Sequence, residues 1–207
     1  MEDQWLAWGK RLQAVASTGL HFTTDPYDRE RYFEVADIAN GMLAQLGRVP
    51  VSRIDGLVSD FAKGYATPKV DVRGAVIRDG HVLLVREKSD RRWTLPGGFA
   101  DVGYSPAENV VKEIQEEAGL TVVASRLYRV RHKAKHPYDP DVRDFYKLFF
   151  LCDADGDEEP APGHETLEAR YFAFNALPEL SRGRVLEADI FAAFAFHENP
   201  ALATAFD

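Results

Sequence analysis

The amino-acid sequence predicts an α/β fold that is preceded by a small helical domain. Through residues 5–61, apolar side chains recur at the spacing of amphipathic helices. From residue 69 onwards, strand-like segments are interrupted by helical ones, which is the order expected of helices packed on a sheet. A linker-like stretch at residues 64–68 separates the two patterns, so we expect domains at residues 1–66 and 67–207.

Composition supports a folded protein and excludes several classes. Of the 207 residues, 45% are hydrophobic, which is enough for a core, and the net charge of −8 argues against a general nucleic-acid coat. The one cysteine, Cys152, cannot form an internal disulfide. There is no run of 18 apolar residues and no signal-peptide pattern at the N-terminus. We therefore expect a cytoplasmic protein with no membrane partner.

The helical domain is predicted to hold three helices. The first should break at Thr18-Gly19. The second should begin at Asp25-Pro26 and end at Gly47, because a polar cap before proline starts a helix and glycine ends one. A shorter third helix is expected from Ser52. The apolar residues of the first and third helices are Trp5, Trp8, Leu12 and Val15, and Ile54, Leu57, Val58 and Phe61.

The second domain is predicted to alternate strands with helices. Strand-like segments lie at residues 69–78, 81–86, 121–133, 145–153 and 169–174. An Asp79-Gly80 turn joins the first two. Helices are expected at residues 105–118 and 185–197, and the first of them opens with the capping box Ser105-Pro106-Ala107-Glu108 and is followed by Gly119.

The helix predicted at residues 105–118 carries three glutamates on a face away from its apolar side. Glu113, Glu116 and Glu117 fall within an arc of about 100°. Like charges at this spacing cost roughly 0.2–0.5 kcal/mol per pair, and the helix dipole disfavours anions in the last turns. Two interpretations fit the pattern: an exposed acidic helix end, or ligands for Mg²⁺ or Mn²⁺, which prefer oxygen donors.

The stretch from Gly98 to Leu120 resembles the signature box of the Nudix hydrolases. That box reads Gly, five residues, Glu, seven residues and then Arg-Glu-U-X-Glu-Glu-X-Gly-U, where U is apolar. The first glycine, the last three glutamates and the final Gly119-Leu120 stand in register here, and Leu95-Pro96-Gly97 precedes them. Two positions depart from the pattern, because Tyr104 replaces the first glutamate and Lys112 replaces the arginine.

The resemblance implies an α/β/α sandwich with a mixed sheet and the metal-dependent hydrolysis of a nucleoside diphosphate linked to a group X. It implies that Glu113, Glu116 and Glu117 hold Mg²⁺ or Mn²⁺ with help from a backbone oxygen near Gly98. Glu113 would accept a proton from the attacking water or orient it. In some members the base comes from a later loop, for which Glu165 is the candidate here; the alternative is a polar loop residue.

A closer resemblance covers almost the whole chain. Trp5-Leu-Ala-Trp8, the segment at residues 67–74 and the box loop at residues 98–104 are similar to a bacterial Nudix group with a helical N-terminal domain. The group includes CDP-choline pyrophosphatase and members labelled ADP-ribose pyrophosphatase. The resemblance implies that the substrate is a CDP-choline-like compound, with ADP-ribose as the alternative. It also implies a homodimer formed through the N-terminal helices, and activity on a single-stranded RNA 3′ end as a further expectation.

Four residues are candidates for contacts with the substrate. Arg73 lies in an apolar strand, where an arginine needs an anion, either a substrate phosphate or a partner such as Asp71. Lys112 is next to Glu113, and Tyr104 in the box loop could stack on a base or contact choline. Arg131 belongs to a period-two series that would share one strand face, either to receive phosphates or a nucleic-acid end or to stay solvated. The series is Arg129, Arg131, Lys133 and Lys135.

The acidity of the chain is concentrated rather than general. Nine acids lie in two segments, at residues 113–117 and 153–165. Their combined charge of −9 is larger than the net charge of −8, so the rest of the chain carries +1. Bound cations would therefore attract the phosphates. Residues 1–66 hold 9 acids and 7 bases, so we expect no DNA partner and a role in dimerisation and substrate capping. That charge also argues against the other class of function, a catalytically silent Nudix nucleotide sensor that binds DNA through these helices.

Overall fold

The computed structural model of the chain describes residues 3–54, 65–154, 156 and 158–207. The chain divides into two compact units, Met1–Lys69 with Pro140–Asp144, and Val70–Asp139 with Phe145–Asp207. The domain boundary predicted at residue 66 stays a prediction. The expected burial of Leu57, Val58 and Phe61 falls outside the described residues. Within the described part of the chain, no helix combines the length and the hydropathy that crossing a membrane requires.

The helical unit is built on two long helices, α1 (Gln4–Phe22) and α2 (Pro26–Gly47). Asp25 caps α2 as predicted, because its carboxylate accepts the backbone N–H groups of Tyr27 and Asp28 at 2.9 and 3.0 Å. Residues 51–54 are helical, and Ile54 is buried. Among the described residues, the small core of this unit contains Leu6, Leu43, Ala44 and Ile54.

The break predicted at Thr18-Gly19 is wrong, because α1 continues to Phe22. Gly19 instead lets the two helices approach each other. A Cβ atom at this position would lie 2.3 Å from Cζ of Tyr32 on α2. Gly9 has the same effect earlier in α1, where a Cβ atom would lie 2.9 Å from Cδ2 of Leu43. Both glycines of α1 therefore mark close helix packing rather than a helix end.

The apolar face predicted for α1 is not the face that packs on α2. Its four residues remain between 40% and 60% exposed. They recur at alternating spacings of three and four, which is the pattern of a seam between paired helices. This face, which we call the α1 seam, consists of Trp5, Trp8, Leu12 and Val15.

The second unit is a mixed sheet between two helices, which confirms the predicted α/β/α sandwich. The order of strands is β3-β2-β1-β5-β4-β7; β6 pairs antiparallel with β2 and β7 pairs parallel with β4. The helices are α3 (Pro106–Ala118) and α4 (Glu187–Glu198). The strands are β1 (Lys69–Arg78), β2 (His81–Glu87), β3 (Trp93–Thr94), β4 (Val122–His132), β5 (Phe145–Ala154), β6 (Thr166–Ala173) and β7 (Ala205–Phe206).

Alternation along β2 supplies both apolar layers of the sandwich. Val82 and Leu84 belong to the layer that contains α4, whereas Leu83 and Val85 belong to the layer that contains α3. Gly74 on β1 lets α3 come close, because a Cβ atom on Gly74 would lie 2.5 Å from Cδ1 of Ile114 on that helix. The α3 residues in this layer are Val110, Ile114 and Ala118. This packing holds the helix of the three glutamates directly against the sheet.

The series of bases predicted for one strand face is broken. β4 ends at His132, and Lys133–Lys135 form a short 3₁₀ helix. Lys133 is buried, with its ammonium 5.0 Å from the centre of the Phe145 ring. Arg129 and Arg131 therefore remain on the strand, but Lys133 and Lys135 do not extend their face. The strands β3 and β7, two residues each, were not predicted because so short a segment shows no periodicity.

A buried ionic cluster joins β1 to its neighbour β5. Arg73 donates two hydrogen bonds to the Asp71 carboxylate, at 3.1 and 2.9 Å, and Lys147 donates one at 2.6 Å. Burial alone would raise the pKa of Asp71, but the charges of Arg73 and Lys147 outweigh it and hold the pKa at about 2. Burial lowers the pKa of Lys147 to about 8 in spite of Asp71. Asp71 is therefore the shared counter-ion of two buried cations.

We predict that Asp71→Asn lowers the free energy of unfolding by about 3–5 kcal/mol, because it leaves two buried cations without their counter-ion. Lys147→Met should cost less, since Asp71 keeps both bonds from Arg73. The pKa of Asp71 in the fold lies below its ordinary value, so its contribution of about 2 kcal/mol is complete above about pH 4 and is lost as the pH falls through about 2. Urea unfolding at a series of pH values measures both effects.

Glu168→Gln is the matched control for Asp71→Asn. The pair of Glu168 with Arg86 is partly exposed, and such a pair contributes at most about 1 kcal/mol. Equal losses of stability in the two variants would contradict the role given to Asp71.

Candidate active site

The helix α3 ends in the three glutamates and is capped by its own sequence. The Ser105 hydroxyl accepts the N–H of Glu108 at 3.2 Å, and the Glu108 carboxylate accepts the N–H of Ser105 at 2.7 Å, which is the predicted capping box. Gly119, with a φ of +69°, follows the last turn. The helix therefore begins and ends where its sequence predicts, and the glutamates fall in its last turns.

Glu117 is the most buried of the three glutamates. Its carboxylate accepts the backbone N–H of Gly97 at 2.9 Å. Gly97 has a φ of +141°, and a Cβ atom on it would lie 2.0 Å from the carbonyl oxygen of Val72, so this position requires glycine. Burial raises the pKa of Glu117 to about 8, against the opposing charge of Arg73. A positive charge next to Glu117 would offset the cost of that burial.

Glu113 lies against the next glycine of the loop. A Cβ atom on Gly98 would lie 2.9 Å from a carboxylate oxygen of Glu113. Burial raises the pKa of Glu113 against the opposing charge of Arg73, and the charges of Glu116 and Glu165 raise it further. The fold thus brings Glu165, from the loop before β6, into electrostatic range of α3.

The two positions that depart from the signature box lie at the open side of α3. Lys112 bonds to Asp101 at 3.0 Å and pairs with Glu116 at 3.2 Å, so it connects the helix to the box loop. Tyr104 is exposed, and its backbone oxygen accepts a bond from the Asn109 side chain at 3.3 Å. Neither departure removes a carboxylate from the helix.

The donor set at this end of α3 suits a hard divalent cation. Glu113 and Glu117 have raised pKa values because of burial, with repulsion between carboxylates adding to it, and oxygen ligands are those that Mg²⁺ and Mn²⁺ prefer. Among the described residues, no three His, Cys, Asp or Glu side chains are grouped so that they could hold a metal ion. Glu116 is paired with Lys112 and would have to leave it to become a ligand.

The two arginines predicted to contact the substrate are both engaged with buried aspartates. Arg73 grips Asp71 and also donates to the carbonyl of Leu95 at 3.2 Å. Arg131 pairs at 3.1 Å with Asp189, a fully buried residue at the start of α4. A phosphate would have to compete with these partners. The sequence left open whether Arg73 binds a phosphate or pairs with Asp71, and the structure contains the pair with Asp71.

Sequence reasoning missed Glu87, the last residue of β2. The charge of Glu87 raises the pKa of Glu117, and Arg184 pairs with Glu87 at 3.0 Å. The register of β2 against β6 shifts at this point, so that Glu87 lies opposite Thr166. The available signal was a carboxylate two positions after the apolar run at residues 82–85.

Comparison with protein families matches both parts of the chain. The model of the NUDIX domain matches residues 68–194, a range that includes α3, its glycine loop and Glu165. A second model, described as a UDP-X-like N-terminal oligomerisation domain, matches residues 3–58.

Individual relatives carry names from the same family. A Bacillus subtilis (strain 168) protein named "Putative ADP-ribose pyrophosphatase YjhB" is 43% identical over 208 residues, which cover 100% of this chain and 99% of its own. The crystal structure of a UDP-X diphosphatase is 32% identical, has a TM-score of 0.63 and covers 98% of each chain. That of an ADP-ribose pyrophosphatase from Streptococcus suis 89-1591 is 37% identical, with a TM-score of 0.62, over 68% of this chain and 100% of its own.

We predict that Gly97→Ala destabilises the protein by about 3 kcal/mol or more, because the new methyl group would collide with the backbone of β1 at a φ that alanine avoids. Gly80→Ala is the control: its φ is +72°, but a Cβ atom there meets nothing within 4 Å. That control should cost about 1 kcal/mol. Guanidinium unfolding of the two variants measures the difference, and equal losses would show that the collision with Val72 is relieved cheaply.

Proposed function

The chain belongs to the Nudix hydrolase family, and from this premise we propose that it hydrolyses the diphosphate of a nucleoside diphosphate linked to a group X. The observation that carries the proposal is the end of α3. There, the buried Glu117, the half-buried Glu113 and the exposed Glu116 share the last turns of the helix, and the glycine loop lies against the first two.

We assign the cation, Mg²⁺ or Mn²⁺, to Glu113, Glu116 and Glu117, with a backbone oxygen near Gly98. When bound, it supplies positive charge to the phosphates and makes water more acidic. The Gly97 amide holds the Glu117 carboxylate, and the Gly98 carbonyl is fixed by the hydrogen bond that it accepts from the Val72 N–H at 2.9 Å. These bonds orient the oxygen donors before a cation arrives.

Two carboxylates are candidates for handling the attacking water. Glu113 contacts the glycine loop and is our first assignment for orienting that water. Glu165 is exposed and lies in electrostatic range of Glu113, so a proton on it can leave to solvent. We propose that Glu113 orients the water and that one of the two accepts its proton.

The names of the relatives support the class of substrate. ADP-ribose and UDP-X compounds are both nucleoside diphosphates joined to a second group, as is the CDP-choline that the sequence favoured. We propose this class and place all three kinds of compound in its test. We do not extend the proposal to RNA ends, because the basic series expected to bind them is broken: Arg131 pairs with Asp189 and Lys133 is buried.

Contacts between the substrate and Arg73, Arg131, Lys112 and Tyr104 stay predictions. The exposed ring of Tyr104 is available to stack on a base. Lys112 carries its charge at the open side of α3, next to Glu116. Arg73 and Arg131 would act on the substrate only through the electrostatic potential that remains beyond their aspartates.

We further propose that two copies of the chain associate through the α1 seam. The match of residues 3–58 to an oligomerisation domain supports association, and the seam is the apolar face of α1 that stays exposed in the helical unit. Burying two tryptophans, a leucine and a valine from each copy would favour a dimer.

We predict that Glu117→Gln lowers kcat/KM roughly 100-fold or more and weakens Mn²⁺ binding, because it removes a buried anionic ligand. Glu116→Gln should act in the same direction. Activity is measured on CDP-choline, ADP-ribose and a UDP-sugar with identification of the products, and Mn²⁺ binding by electron paramagnetic resonance. Glu198→Gln, at the last residue of α4, is the control. Unchanged Mg²⁺-dependent turnover in both α3 variants would show that the metal assignment is wrong.

We predict that Leu12→Glu converts a dimer into a monomer, because it places a charge in the middle of the α1 seam. Light scattering coupled to gel filtration measures the mass over a range of concentrations. Leu202→Glu makes the same change at an exposed leucine of the other unit and should leave the mass unchanged. A dimer that persists in Leu12→Glu would place the interface elsewhere.

A further inference from the structure

The loop before β6 is bonded to the last turn of α3. The Thr166 hydroxyl donates to the carbonyl oxygen of Glu117 at 2.8 Å, and the Gly163 N–H donates to the same oxygen at 3.2 Å. The Ala161 N–H donates to the carbonyl oxygen of Ala118 at 2.9 Å. We call Ala161, Gly163 and Thr166 the carbonyl clamp.

The carbonyl clamp meets a need that is particular to this helix end. The last carbonyls of a helix have no partners within the helix, and their partial charge is negative. On α3 that negative end also carries three glutamates. Donors from the loop satisfy the carbonyls of Glu117 and Ala118.

The contact between the loop and the helix is backbone against backbone. A Cβ atom on Gly163 would lie 1.6 Å from the carbonyl oxygen of Glu116 and 2.7 Å from its carbonyl carbon. The Gly163 N–H also donates to the Thr166 hydroxyl at 2.9 Å, so the hydroxyl receives one bond and gives another. The loop therefore rests directly on the turn that carries the proposed metal ligands.

Both neighbours of Glu165 are anchored. On one side, the ammonium of Lys88 bonds to the carbonyl of His164. On the other side, Thr166 is held by the clamp and lies opposite Glu87 in the ladder between β2 and β6. The backbone of Glu165 is thus fixed at both ends while its side chain stays exposed next to α3.

We propose that the carbonyl clamp is a positioning device that fixes the backbone of Glu165 beside the last turn of α3, so that Glu165 accepts the proton of the attacking water. The water oxygen forms a bond to phosphorus, the anhydride P–O bond breaks, and its electron pair stays on the leaving phosphate oxygen. The proton passes to the Glu165 carboxylate and then to solvent. This inference rests on the proposed hydrolysis and adds that Gly163 and Thr166 act through Glu165.

Thr166→Val tests the clamp, because it keeps the shape of the side chain and removes the hydroxyl. We expect kcat to fall about 10–100-fold, since a small displacement of a reacting group has an effect of this size. KM and Mn²⁺ binding, measured by electron paramagnetic resonance, should change less than about threefold. Thr166→Ser should restore kcat. Thr204→Val is the control, because the Thr204 hydroxyl also donates to a backbone carbonyl, that of Leu127, at 2.7 Å.

A double-mutant cycle with Glu165→Gln decides whether the clamp acts through Glu165. If it does, the double variant Thr166→Val with Glu165→Gln is no slower than Glu165→Gln alone. Losses that multiply, or a large loss of Mn²⁺ affinity in Thr166→Val, would overturn the proposal, because the clamp would then act on α3 itself. An unchanged kcat in Glu165→Gln would also overturn the proposal about the clamp. Failure of the hydrolase proposal would give a different result, a wild type that is inactive on every compound tested.

Lys88→Met provides a second way to release the loop if Thr166→Val does not fold. It removes the surface ammonium that bonds to His164 and leaves the bonds of the clamp to α3 in place. We expect a smaller fall in kcat that disappears in the Glu165→Gln background. A fall that persists in that background would contradict the inference.

Discussion

The hydrogen bond from the Gly97 amide to the buried carboxylate of Glu117 is the contact on which the rest of the site depends. It can form only because α3 lies directly against β1, where Gly74 leaves room for Ile114, and because Gly97 passes close to Val72. A side chain at either glycine would separate the loop from the helix. The separation would move Glu117 and Glu113 together, since both are on the same rigid helix.

The energetic problem of this site is a helix whose last turns carry charges of the wrong sign for its dipole. Three groups offset the problem in the chain itself. The charge of Arg73 acts on Glu113 and Glu117, the Gly97 amide bonds to Glu117, and the carbonyl clamp satisfies the helix end. Arg73 remains charged next to these acids because Asp71 accompanies it in the sheet. The burial of Glu117 remains uncompensated and raises its pKa to about 8. A bound cation next to this carboxylate would stabilise its charged form.

Local patterns predicted the parts of the molecule that depend on local physics. The capping box at Ser105, the proline start of α2 and the turn at Asp79-Gly80 involve neighbours in the chain, and the structure has all three. Gly19 was misjudged because its reason is Tyr32 on another helix. Glu87 and the clamp escaped prediction for the same cause, since a strand register and a loop docked on a distant helix leave no periodic trace in the sequence.

The structure distinguishes Glu165 from the other acids of the segment at residues 153–165, which the composition of that segment could not do. Its last acid, Glu165, lies between anchored residues and within electrostatic range of Glu113. Near the start of the segment, the Arg78 guanidinium donates to the backbone oxygens of Gly156 and Glu158. The carbonyl clamp therefore divides the acidic segment into two parts with different surroundings. Glu165 adds to the negative potential that a cation would neutralise, whereas the described acids Asp153, Glu158 and Glu159 are exposed to solvent.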